Sequence, residues 1–408
     1  MSDDITIEVP TTADWDRIHR QVSQAFHQEV SEAASDAEAM VFEVERGLVA
    51  RRDGEIVGTA GILTRQLAVP GGVVPAAHVT LVSVAASARR QGVLTRFMAR
   101  QFDDARAAGE PIAVLWASEG RIYQRFGYGL AATKLNLTIE SREVELPGPA
   151  RAGRLREGSP SDVRDSLVKL YDRLYAERPG WSERATRHWD YRLIDLDQWR
   201  RGATELRAVV HSDDDGGVDG YALWRSASRW ENTGPAGEVR VLELAAATPS
   251  AYFALWRYLL NIDLTRSVSI WSVSPDEPVL TAISEPRRLD ARLSDALWLR
   301  ILDVPAALQA RRYVSNVDIV LEVTDERISS NAGRWRLHGS PTAATCTSTK
   351  DDPDLVLDIR ALGAAYLGGP SLHMLAATGQ VRELTPGSLD RASVAFGWYR
   401  EPSSVEVF

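Results

Sequence analysis

The strongest constraint on the fold is a β-strand that runs through a basic, glycine-containing loop into a helix. The strand covers Val79–Val84, the loop reads Arg89-Arg90-Gln91-Gly92, and a helix is predicted from Val93 to about Ala107. A second strand, Ile112–Trp116, follows this helix. A helix that opens at a glycine directs unpaired N–H groups and the positive end of its dipole at one point, and such a point binds a pyrophosphate. The same spacing also fits an alternative, in which the basic residues begin a helix that binds no ligand.

The rest of the N-terminal region alternates strands and helices. We expect a strand at Ile5–Val9, a helix that begins near Thr12, and a hairpin whose strands are joined by Asp53-Gly54. The hairpin strands are predicted at Leu48–Arg52 and Glu55–Leu63. Pro70-Gly71-Gly72 marks a second turn. Neither G-x-G-x-x-G nor G-x-x-x-x-G-K-[ST] occurs, which disfavours dinucleotide and triphosphate sites.

The length of 408 residues suggests two or three domains. A stretch rich in proline and glycine, Glu145–Pro149, predicts the first boundary, and we expect domains at residues 1–146, 153–300 and 301–408. In the last of these, a strand is predicted at Val317–Val323 and a helix at Pro353–Leu362.

The middle segment repeats the strand-to-helix order of the first. A strand at Val239–Leu244 is followed by a predicted helix at Tyr252–Asn261. The connection at Ala245–Ser250 contains neither arginine nor glycine, so it lacks the groups that would hold a pyrophosphate. We therefore expect this unit to shape a pocket or an assembly rather than to bind the same ligand.

Composition and residue spacing exclude several classes of function. Forty-seven basic and 56 acidic side chains give a net charge of −9, which argues against nucleic acid as a partner. Cys346 is the single cysteine, and the seven histidines show no metal-ligand spacing, so we expect neither a disulfide nor a metal. Met1–Thr6 has no signal-peptide pattern, and no apolar run reaches the ~20 residues of a membrane span. The sequence therefore predicts a cytoplasmic protein without a membrane partner.

The basic loop resembles the acyl-coenzyme A loop of the GNAT superfamily of N-acetyltransferases, whose pattern is [RQ]-x-x-G-x-[GA]. Arg89, Gly92 and Leu94 occupy the three defined positions, and Leu94 replaces a small residue. Longer strings resemble the enhanced intracellular survival (Eis) family of actinobacterial acetyltransferases, and this resemblance covers nearly the whole chain. These strings are Val82-Ser83-Val84 and residues 111–120 (PIAVLWASEG), 122–129 (IYQRFGYG), 296–301 (ALWLRI) and 304–308 (VPAAL).

The resemblance implies an α/β (α+β) fold with tandem GNAT-type mixed sheets flanked by helices and a C-terminal α/β domain similar to sterol carrier proteins. The first domain would be the catalytic one, and the second would be degenerate. The resemblance further implies a homohexamer that transfers acetyl from acetyl-CoA, its co-substrate, to primary amines. These amines would belong to small molecules of the aminoglycoside type, to lysine side chains, or to both.

The resemblance also assigns the contacts with acetyl-CoA. They fall on Val82, Ser83, Val84, Arg89, Arg90, Gln91, Gly92, Val93, Leu94, Thr95, Ser118 and Glu119. The first three would contact the pantetheine arm, and the loop residues would contact the pyrophosphate. For the arm to enter as an extra strand, the strands that carry Val82–Val84 and Val114–Trp116 must separate.

Attack of an amine on a thioester needs a neutral amine and a proton for the leaving thiolate. The resemblance gives the general acid to Tyr123; without it, Tyr128 would be an equal candidate. The general base that it implies is the main-chain carboxylate of Phe408, whose unperturbed pKa of about 3.5 would rise on burial. An aromatic residue after Val405-Glu406-Val407 can anchor an end that is frayed in most chains.

Acceptor-binding positions follow from the same resemblance, and several of them depart from the family pattern. Asp295 and Trp189 match a family acid and a family aromatic residue, whereas Gln28 replaces an acid, Leu81 an aromatic residue and Val407 the penultimate acid. Fewer carboxylates weaken the attraction for a polycation, so the acceptor class is open. Two alternatives are a non-catalytic protein that holds a structural coenzyme A and a lipid, and an acyltransferase for longer acyl chains or protein lysines.

Overall fold

The computed structural model describes residues 5–148 and 153–408, so Pro149 of the predicted linker lies outside the described residues. The first region contains strands β1 (Thr6–Glu8), β2 (Leu48–Arg52), β3 (Glu55–Val69), β4 (Gly72–Val84), β5 (Ile112–Trp116), β6 (Gly129–Leu130) and β7 (Thr133–Glu140), with helices α1 (Trp15–Ala25), α2 (Glu32–Ala39), α3 (Val93–Ala107) and α4 (Gly120–Gln124).

The second region contains strands β8 (Arg154–Gly158), β9 (Arg207–Ser212), β10 (Val218–Ala227), β11 (Trp230–Glu231), β12 (Gly234–Pro235), β13 (Gly237–Ala246), β14 (Thr265–Val273), β15 (Arg292–Asp295) and β16 (Leu297–Ile301). Its helices are α5 (Pro160–Leu174), α6 (Thr186–Leu193), α7 (Asp197–Arg200), α8 (Pro249–Leu260) and α9 (Val279–Ala282). The third region contains strands β17 (Val317–Thr324), β18 (Gly333–Gly339), β19 (Ala344–Ser348), β20 (Leu355–Asp358) and β21 (Val381–Glu383), with helices α10 (Val304–Ala310), α11 (Ile359–Ala365), α12 (Leu372–Ala377) and α13 (Ser388–Phe396).

The first sheet carries the predicted strand–loop–helix unit. Its order is β1-β2-β3-β4-β5-β16-β6, and β4 runs parallel to β5. The long β3/β4 hairpin turns at Pro70–Gly71, where Gly71 has a φ of +69° that glycine adopts without steric cost. α3 connects β4 to β5 and buries Phe97, Met98 and Phe102. The predicted strand–loop–helix–strand unit is therefore confirmed.

Strand exchange ties the first two sheets together. β7 follows β6 in the chain, yet it pairs with β14 and β15 in the second sheet. β16 lies far along the chain, yet it pairs with β5 and β6 in the first sheet. The boundary predicted at residue 146 thus comes after a strand that already belongs to the second sheet, because pairing between distant strands leaves no local signal in the sequence.

The second sheet repeats the layout of the first around a parallel pair. Its order is β15-β7-β14-β13-β10-β9-β8, and the parallel neighbours are β13 and β14. α8 connects them and buries Leu255, Trp256 and Leu259. The strand predicted at Val239–Leu244 and the helix predicted at Tyr252–Asn261 are both confirmed.

The third region has a sheet of order β19-β18-β17-β20-β21. The strand predicted at Val317–Val323 is confirmed by β17, but the helix predicted at Pro353–Leu362 is wrong in its first half. Leu355–Asp358 pairs with β17 as a parallel strand. The helix begins only after Asp358, whose carboxylate accepts a hydrogen bond from the Ala361 N–H at 2.7 Å. Pairing with a buried strand outweighs the local helical pattern here.

The third region and the first sheet share one hydrophobic core. Apolar side chains of β4, β5 and β16 pack with those of β17, β20 and α11. α11 crosses so close to the first sheet that a methyl group built on Gly363 would lie 2.6 Å from the carbonyl oxygen of Leu299. This packing holds the third region, and with it the segment that leads to Phe408, against the first sheet.

An arginine that has no carboxylate partner among residues 5–148 and 153–408 fills part of this core. The Arg311 guanidinium is completely buried and donates hydrogen bonds to the carbonyl oxygens of Tyr366, at 2.5 Å, and Phe396, at 2.8 Å. The rings of Tyr313, Tyr366 and Phe396 surround it. The part of the third region around Arg311 is thus filled by the side chains of the protein itself.

Two further properties concern the described residues as a whole. In this part of the chain, no helix combines the length and the apolar character that are needed to cross a bilayer. In the same part of the chain, His, Cys, Asp and Glu side chains form no group of three or more that is suited to hold a metal ion.

Candidate active site

The loop between β4 and α3 forms an open cradle of main-chain donors. Arg90 and Gly92 have φ angles of +64° and +78° and turn the chain into α3. Among the described residues no side chain caps α3, so the N–H groups of Val93, Leu94 and Thr95 remain available in its first turn. A methyl group built on Gly92 would meet no atom of the described residues within 4 Å. The cradle therefore leaves room for a phosphate group against the main chain.

The other predicted residues of this loop are exposed and tethered. Arg89 donates a hydrogen bond to the carbonyl oxygen of Val84 at 3.4 Å. Gln91 donates to the carbonyl oxygen of Ser87 at 3.1 Å and accepts a hydrogen bond from the guanidinium of Arg52. Cations and oriented amides thus face the solvent at the start of α3, as an anion-binding loop requires.

β4 and β5 separate beside this cradle. Their parallel pairing ends at His78↔Val114 within the described residues. A bulge with a φ of +51° at Leu81 disrupts the β3/β4 pairing and kinks β4. Val82–Val84 and Trp116 therefore lie beyond the residues at which β4 pairs with β5, where an arm that carries amide groups can bond between the two strands.

The remaining positions assigned to acetyl-CoA lie around this separation. Ser83 is buried and shares a hydrogen bond with the hydroxyl of Thr59 at 2.7 Å, whereas Val82 and Val84 are half-buried. Ser118 and Glu119 are exposed in the connection between β5 and α4. The structure thus brings the strand, the loop and the β5–α4 connection to the same edge of the first sheet.

Tyr123, the predicted general acid, lies on α4 directly after that connection. Its side chain is 6% exposed and belongs to the apolar cluster that contains Leu115 and Trp298. Burial raises the pKa of the phenol to about 12, so the group keeps its proton at neutral pH. Tyr128 lies edge-on at 5.8 Å between ring centroids, but it is completely buried. The difference in exposure favours Tyr123 over Tyr128 as a group that reaches a ligand.

The side chain of Phe408 packs against the end of the paired part of β4. Its ring lies edge-on to the imidazole of His78, with 4.6 Å between the centroids. His78 Nδ1 is 2.9 Å from the carbonyl oxygen of Ala76 and Nε2 is 2.8 Å from the hydroxyl of Ser182. Because a carbonyl only accepts, Nδ1 carries the proton and Nε2 accepts the hydrogen bond of Ser182. His78 is thus a fixed, buried seat for the last ring of the chain.

A buried ionic network holds the preceding residue. Glu406 accepts hydrogen bonds from Arg65 of β3 and from Arg184, with the Arg184 contact at 2.9 Å. Arg184 also donates twice to Glu243 of β13, at 2.9 and 2.7 Å. Burial by itself would raise the pKa of Glu406, but the guanidinium groups of Arg184 and Arg65 outweigh it and hold this pKa well below its usual range. The Glu406 carboxylate therefore fastens the C-terminal tail, residues 403–408, to the first sheet through Arg65 and to the second sheet through Arg184 and Glu243.

The same tail enters the second sheet where its parallel strands separate. Pairing of β13 with β14 ends at Val241↔Ile270 in the described residues. Beyond that point, the hydroxyl of Ser272 donates to the carbonyl oxygen of Ser404 at 2.8 Å, and Val405 packs on the core cluster of this region. The space that an arm could enter in the first sheet is taken in the second by the chain itself, which supports the expectation that the second unit binds no such ligand.

Comparisons with known proteins identify this architecture. Two family models described as "Acetyltransferase (GNAT) domain" match residues 6–131 and 180–301, and one described as "Sterol carrier protein domain" matches residues 304–404. The chain is 44% identical to an N-acetyltransferase of Streptomyces avermitilis over 94% of each protein, and 34% identical to N-acetyltransferase Eis of Mycobacterium tuberculosis over 96% of each. The crystal structure of Eis1 from Mycobacterium abscessus superimposes with a TM-score of 0.85 at 28% identity, covering 99% of this chain and 100% of that one.

The chain belongs to the Eis family of GNAT N-acetyltransferases. It is therefore an N-acetyltransferase with two GNAT domains and a sterol-carrier-like domain, as the resemblance implied. GNAT acetyltransferases use acetyl-CoA. The donors at Gly92 and the separated strands β4 and β5 fit the pyrophosphate and the amide-containing arm of that substrate.

Asp295 is linked to Tyr123, the predicted general acid of this Eis-family protein, through one tryptophan. Its carboxylate accepts a hydrogen bond from the indole N–H of Trp298 at 2.8 Å. The Trp298 ring covers Gly120, the first residue of α4, so closely that a methyl group built there would lie 2.7 Å from the ring. Trp298 also belongs to the apolar cluster that holds Tyr123. The exposed Asp295 carboxylate is thus held by a tryptophan that packs in the same cluster as Tyr123.

The other predicted acceptor positions are spread over the Eis-type scaffold. Gln28 is exposed between α1 and α2, Leu81 is half-buried at the bulge, and Val407 is 53% exposed. Trp189 is only 1% exposed, and the guanidinium of Arg184 lies 4.7 Å from its ring centroid. Trp189 therefore contacts the arginine that anchors the tail instead of lining an open surface.

The sequence did not predict one group of side chains, which surrounds Trp271. Trp116 at the end of β5 meets Trp271 of β14, with 5.2 Å between ring centroids at an angle of 83°. The ammonium of Lys134, on β7, lies 3.8 Å from the Trp271 ring centroid. A signal was present, since Lys134 is one of only three lysines in the chain. Its partners, however, come from strands that only the fold brings together.

Proposed function

We propose that this protein transfers the acetyl group of acetyl-CoA directly to a primary amine, carried by a small molecule of the aminoglycoside type or by a lysine side chain. The observation that carries the proposal is the contact between Phe408 and His78, which returns the end of the chain to the point where β4 and β5 separate. The open cradle at Gly92 follows the same strand, β4, in the chain.

Binding of the thioester rests on main-chain groups. The free N–H groups of the first turn of α3 hold the pyrophosphate, with Arg89 and Arg90 supplying positive charge. Val82–Val84 and the end of β5 bond to the amides of the arm, which directs the thioester towards α4. Ser118 and Glu119 contact the same substrate from the β5–α4 connection.

The base in this proposal is the main-chain carboxylate of Phe408. It removes a proton from the acceptor ammonium, and the neutral amine then attacks the thioester carbonyl. Partial burial makes a carboxylate a stronger base than it is in water. The ring of Phe408 against His78 keeps that carboxylate from moving freely.

The acid is Tyr123. As the new carbon–nitrogen bond forms, the carbon–sulfur bond breaks and the phenol gives its proton to the departing sulfur. The raised pKa of Tyr123, about 12, keeps this proton on the phenol until the thiolate develops. Asp295 and Trp298 border the acceptor, while Gln28, Leu81, Trp189 and Val407 shape the approach to it.

Assembly and location are proposed from the family alone. We expect a homohexamer in the cytoplasm. A lipid could not occupy the space around Arg311, because Tyr313, Tyr366 and Phe396 pack there.

A thiol-release assay tests the proposal. Purified protein is mixed with acetyl-CoA and a panel of primary amines, and release of coenzyme A is followed together with the mass of the amine product. We expect thiol release in proportion to N-acetylated amine. Tight binding of acetyl-CoA without thiol release for any amine would contradict the proposed activity.

A further inference from the structure

The helix that carries the proposed general acid is too short to hold its own position. α4 has five residues, and an isolated helix of that length is not stable in water. The turn after it is bonded to Tyr123 itself, because the N–H groups of Phe126 and Tyr128 donate to the Tyr123 carbonyl oxygen at 3.0 and 3.3 Å. The position of Tyr123 therefore depends on what packs against α4 and this turn.

Arg300 lies against the turn that follows α4. The residue belongs to β16, is completely buried, and pairs with Ala113 of β5, so its main chain is fixed in the first sheet. Its guanidinium covers Gly127 so closely that a methyl group built there would lie 2.7 Å from Nη1. Gly127 also has a φ of +86°, which favours glycine. The main chain of the turn and the guanidinium are thus in direct contact.

The partner of this arginine comes from the third region. Arg300 Nη2 donates to both carboxylate oxygens of Asp325, at 2.8 and 2.7 Å, and the two side chains are almost fully shielded from solvent. Asp325 follows β17 and also accepts hydrogen bonds from two main-chain N–H groups of the loop after it and from the Asn331 amide. One carboxylate therefore orders residues 325–331, which we call the clamp loop.

The clamp loop also contacts the α4 turn directly. The guanidinium of Arg327 donates to the carbonyl oxygen of Arg125 at 3.4 Å and lies 5.4 Å from the centroid of the Phe126 ring. Ile328 belongs to the apolar cluster that contains Tyr123. Polar, cationic and apolar contacts thus all join this loop to the residues around the proposed acid.

A second element of the third region lies against the strand after the turn. β6 begins at Gly129, where a methyl group would overlap with the carbonyl oxygen of Arg360 and lie 2.5 Å from the main-chain nitrogen of Ala364. Only glycine permits so close an approach between α11 and β6. The third region therefore holds this segment at two places, with the clamp loop against residues 125–127 and α11 against residue 129.

Stability alone does not explain the ion pair between Arg300 and Asp325. Nε and Nη1 of Arg300 and the phenol of Tyr128 are buried and have no hydrogen-bond partner among the described residues. Buried polar atoms without partners cost free energy. Apolar side chains of similar size in place of a buried ion pair often leave stability unchanged or raise it. What the pair does supply is a fixed position for the turn that follows Tyr123.

We infer that the third region serves catalysis by positioning the general acid: the Arg300–Asp325 pair and the clamp loop hold the α4 turn, and with it the phenol of Tyr123, where the thiolate develops. Arg300 and Asp325 are positioning residues, because both side chains are buried and act through Tyr123. This inference rests on the proposed function and gives the sterol-carrier-like region a part in it.

The test begins with a variant that removes both charges. Arg300→Met/Asp325→Asn leaves no unpaired buried charge and keeps an acceptor for the N–H groups of the clamp loop. A misplacement of about 1 Å costs a reacting group roughly 10²-fold in rate, so we expect kcat on one primary amine to fall by about 10- to 100-fold. The dissociation constant of acetyl-CoA, measured by calorimetry, should stay near the wild-type value because the Gly92 loop is intact.

The same pair change in a Tyr123→Phe background separates positioning from a general loss of structure. If the pair acts through the phenol, its removal should lower the residual kcat of Tyr123→Phe by less than about twofold, because both changes remove one shared contribution. Equal fold losses of kcat in the two backgrounds would overturn the inference.

Arg225→Met/Asp195→Asn is the matched control. Arg225 is buried in β10 of the second region and donates to the carboxylate of Asp195. We expect this variant to lower the melting temperature and to leave kcat unchanged when it is measured well below the unfolding transition. A loss of kcat as large as that of the Arg300→Met/Asp325→Asn variant would contradict a specific role for the Arg300–Asp325 pair.

Arg327→Ala tests the clamp loop even if the variant of the buried pair does not fold. Arg327 is exposed, so its removal leaves the core intact. Loss of a cation–π contact at the surface corresponds to about a threefold effect, and we expect kcat to fall by that factor. Arg382→Ala, at an exposed arginine of β21, should behave like wild type. Unchanged kcat in Arg327→Ala would overturn the inference.

Failure of the proposed function gives a different pattern. Wild-type protein that releases no thiol with any amine contradicts the proposed function, and full activity of Tyr123→Phe contradicts its acid; either result takes the inference with it. A large kcat loss in Tyr123→Phe, combined with wild-type kcat in Arg300→Met/Asp325→Asn, overturns the inference alone.

Discussion

The ring of Phe408 lies edge-on to the imidazole of His78, with 4.6 Å between the ring centroids. Burial, reinforced by the nearby charge of Arg65, lowers the pKa of His78 to about 3, so this imidazole is uncharged at neutral pH. A neutral imidazole, fixed on one side by Ala76 and on the other by Ser182, offers an aromatic ring a rigid seat. The contact fixes the position of Phe408 and thus of its main-chain carboxylate. Variants that remove the ring alone, or the whole residue, separate the effect of the ring from that of the carboxylate.

Deleting Phe408 moves the main-chain carboxylate by one residue and removes its anchor. We expect kcat to fall by about 10²- to 10⁴-fold, as for loss of a general base. Phe408→Ala keeps the carboxylate at the same position in the chain but removes the ring that holds it against His78. We therefore expect kcat to fall by less than in the deletion variant, but measurably. KM for acetyl-CoA should change little in either variant, because the Gly92 loop is intact.

Tyr399→Ala serves as the control for these tail variants. Tyr399 is 75% exposed and precedes the segment fastened to the two sheets, so its removal should leave turnover unchanged. Steady-state kinetics of all three variants on one amine would test whether the Phe408 carboxylate acts as the base. Wild-type kcat in the deletion variant would rule out the carboxylate as base.

Tyr123→Phe removes the phenolic proton and keeps the ring. We expect kcat to fall by about 10²- to 10⁴-fold, with little change in the dissociation constant of acetyl-CoA measured by calorimetry. Because the pKa of Tyr123 is raised to about 12, loss of wild-type activity in base should not show an ionisation near pH 10. Tyr128→Phe is the comparison, and a larger kcat loss there would transfer the acid role to Tyr128.

The parts of this site that sequence could predict are those with local signals. The strand at Val79–Val84, the loop at Gly92 and the helix from Val93 follow one another along the chain, and the separation of β4 from β5 follows from what that unit must bind. The anchoring of Phe408 was also foreseen, from its aromatic side chain and the family resemblance.

The parts that sequence could not predict depend on distant strands. β7 and β16 exchange between the two sheets. Trp116 of the first sheet thereby meets Trp271 of the second, whose ring lies under the ammonium of Lys134. No spacing rule links these positions. For Trp189, which the family pattern predicts as an acceptor contact, the structure shows a ring that is 1% exposed and lies 4.7 Å from the guanidinium of Arg184.

Gly92→Ala tests the cradle, and Gly109→Ala, at the other end of the same helix, is its matched control. Gly92 and Gly109 flank α3, have φ angles of +78° and +76°, and in the described residues have no atom within 4 Å of a built methyl group. Alanine should therefore cost each site about 1–2 kcal/mol of backbone strain. Only at Gly92 would the methyl group enter the space for a phosphate.

We expect the KM for acetyl-CoA to rise by about tenfold in Gly92→Ala, because close main-chain approach is lost, and to stay near wild type in Gly109→Ala. Both variants should show similar shifts in melting temperature. An equal rise of KM in the two variants would mean that strain, and not occupation of the cradle, causes the effect.

Glu406→Gln tests the buried network that fastens the tail. The substitution leaves the guanidinium groups of Arg65 and Arg184 without their shared carboxylate, and breaking such a buried pair costs roughly 3 kcal/mol of unfolding free energy. Asp104→Asn, which removes the carboxylate of an exposed pair with Arg100, should cost no more than about 0.5 kcal/mol. Urea denaturation measures both values.

The pH dependence gives a sharper test of the same carboxylate. The pKa of Glu406 is lowered in the folded protein, so its stabilising contribution is complete above the unfolded-state pKa of about 4.3 and is lost as the pH falls below it. The difference in unfolding free energy between wild type and Glu406→Gln should therefore be constant from pH 6 to 8 and shrink below about pH 4. A difference that stays constant down to pH 3 would show that Glu406 stabilises the tail through packing and not through its charge.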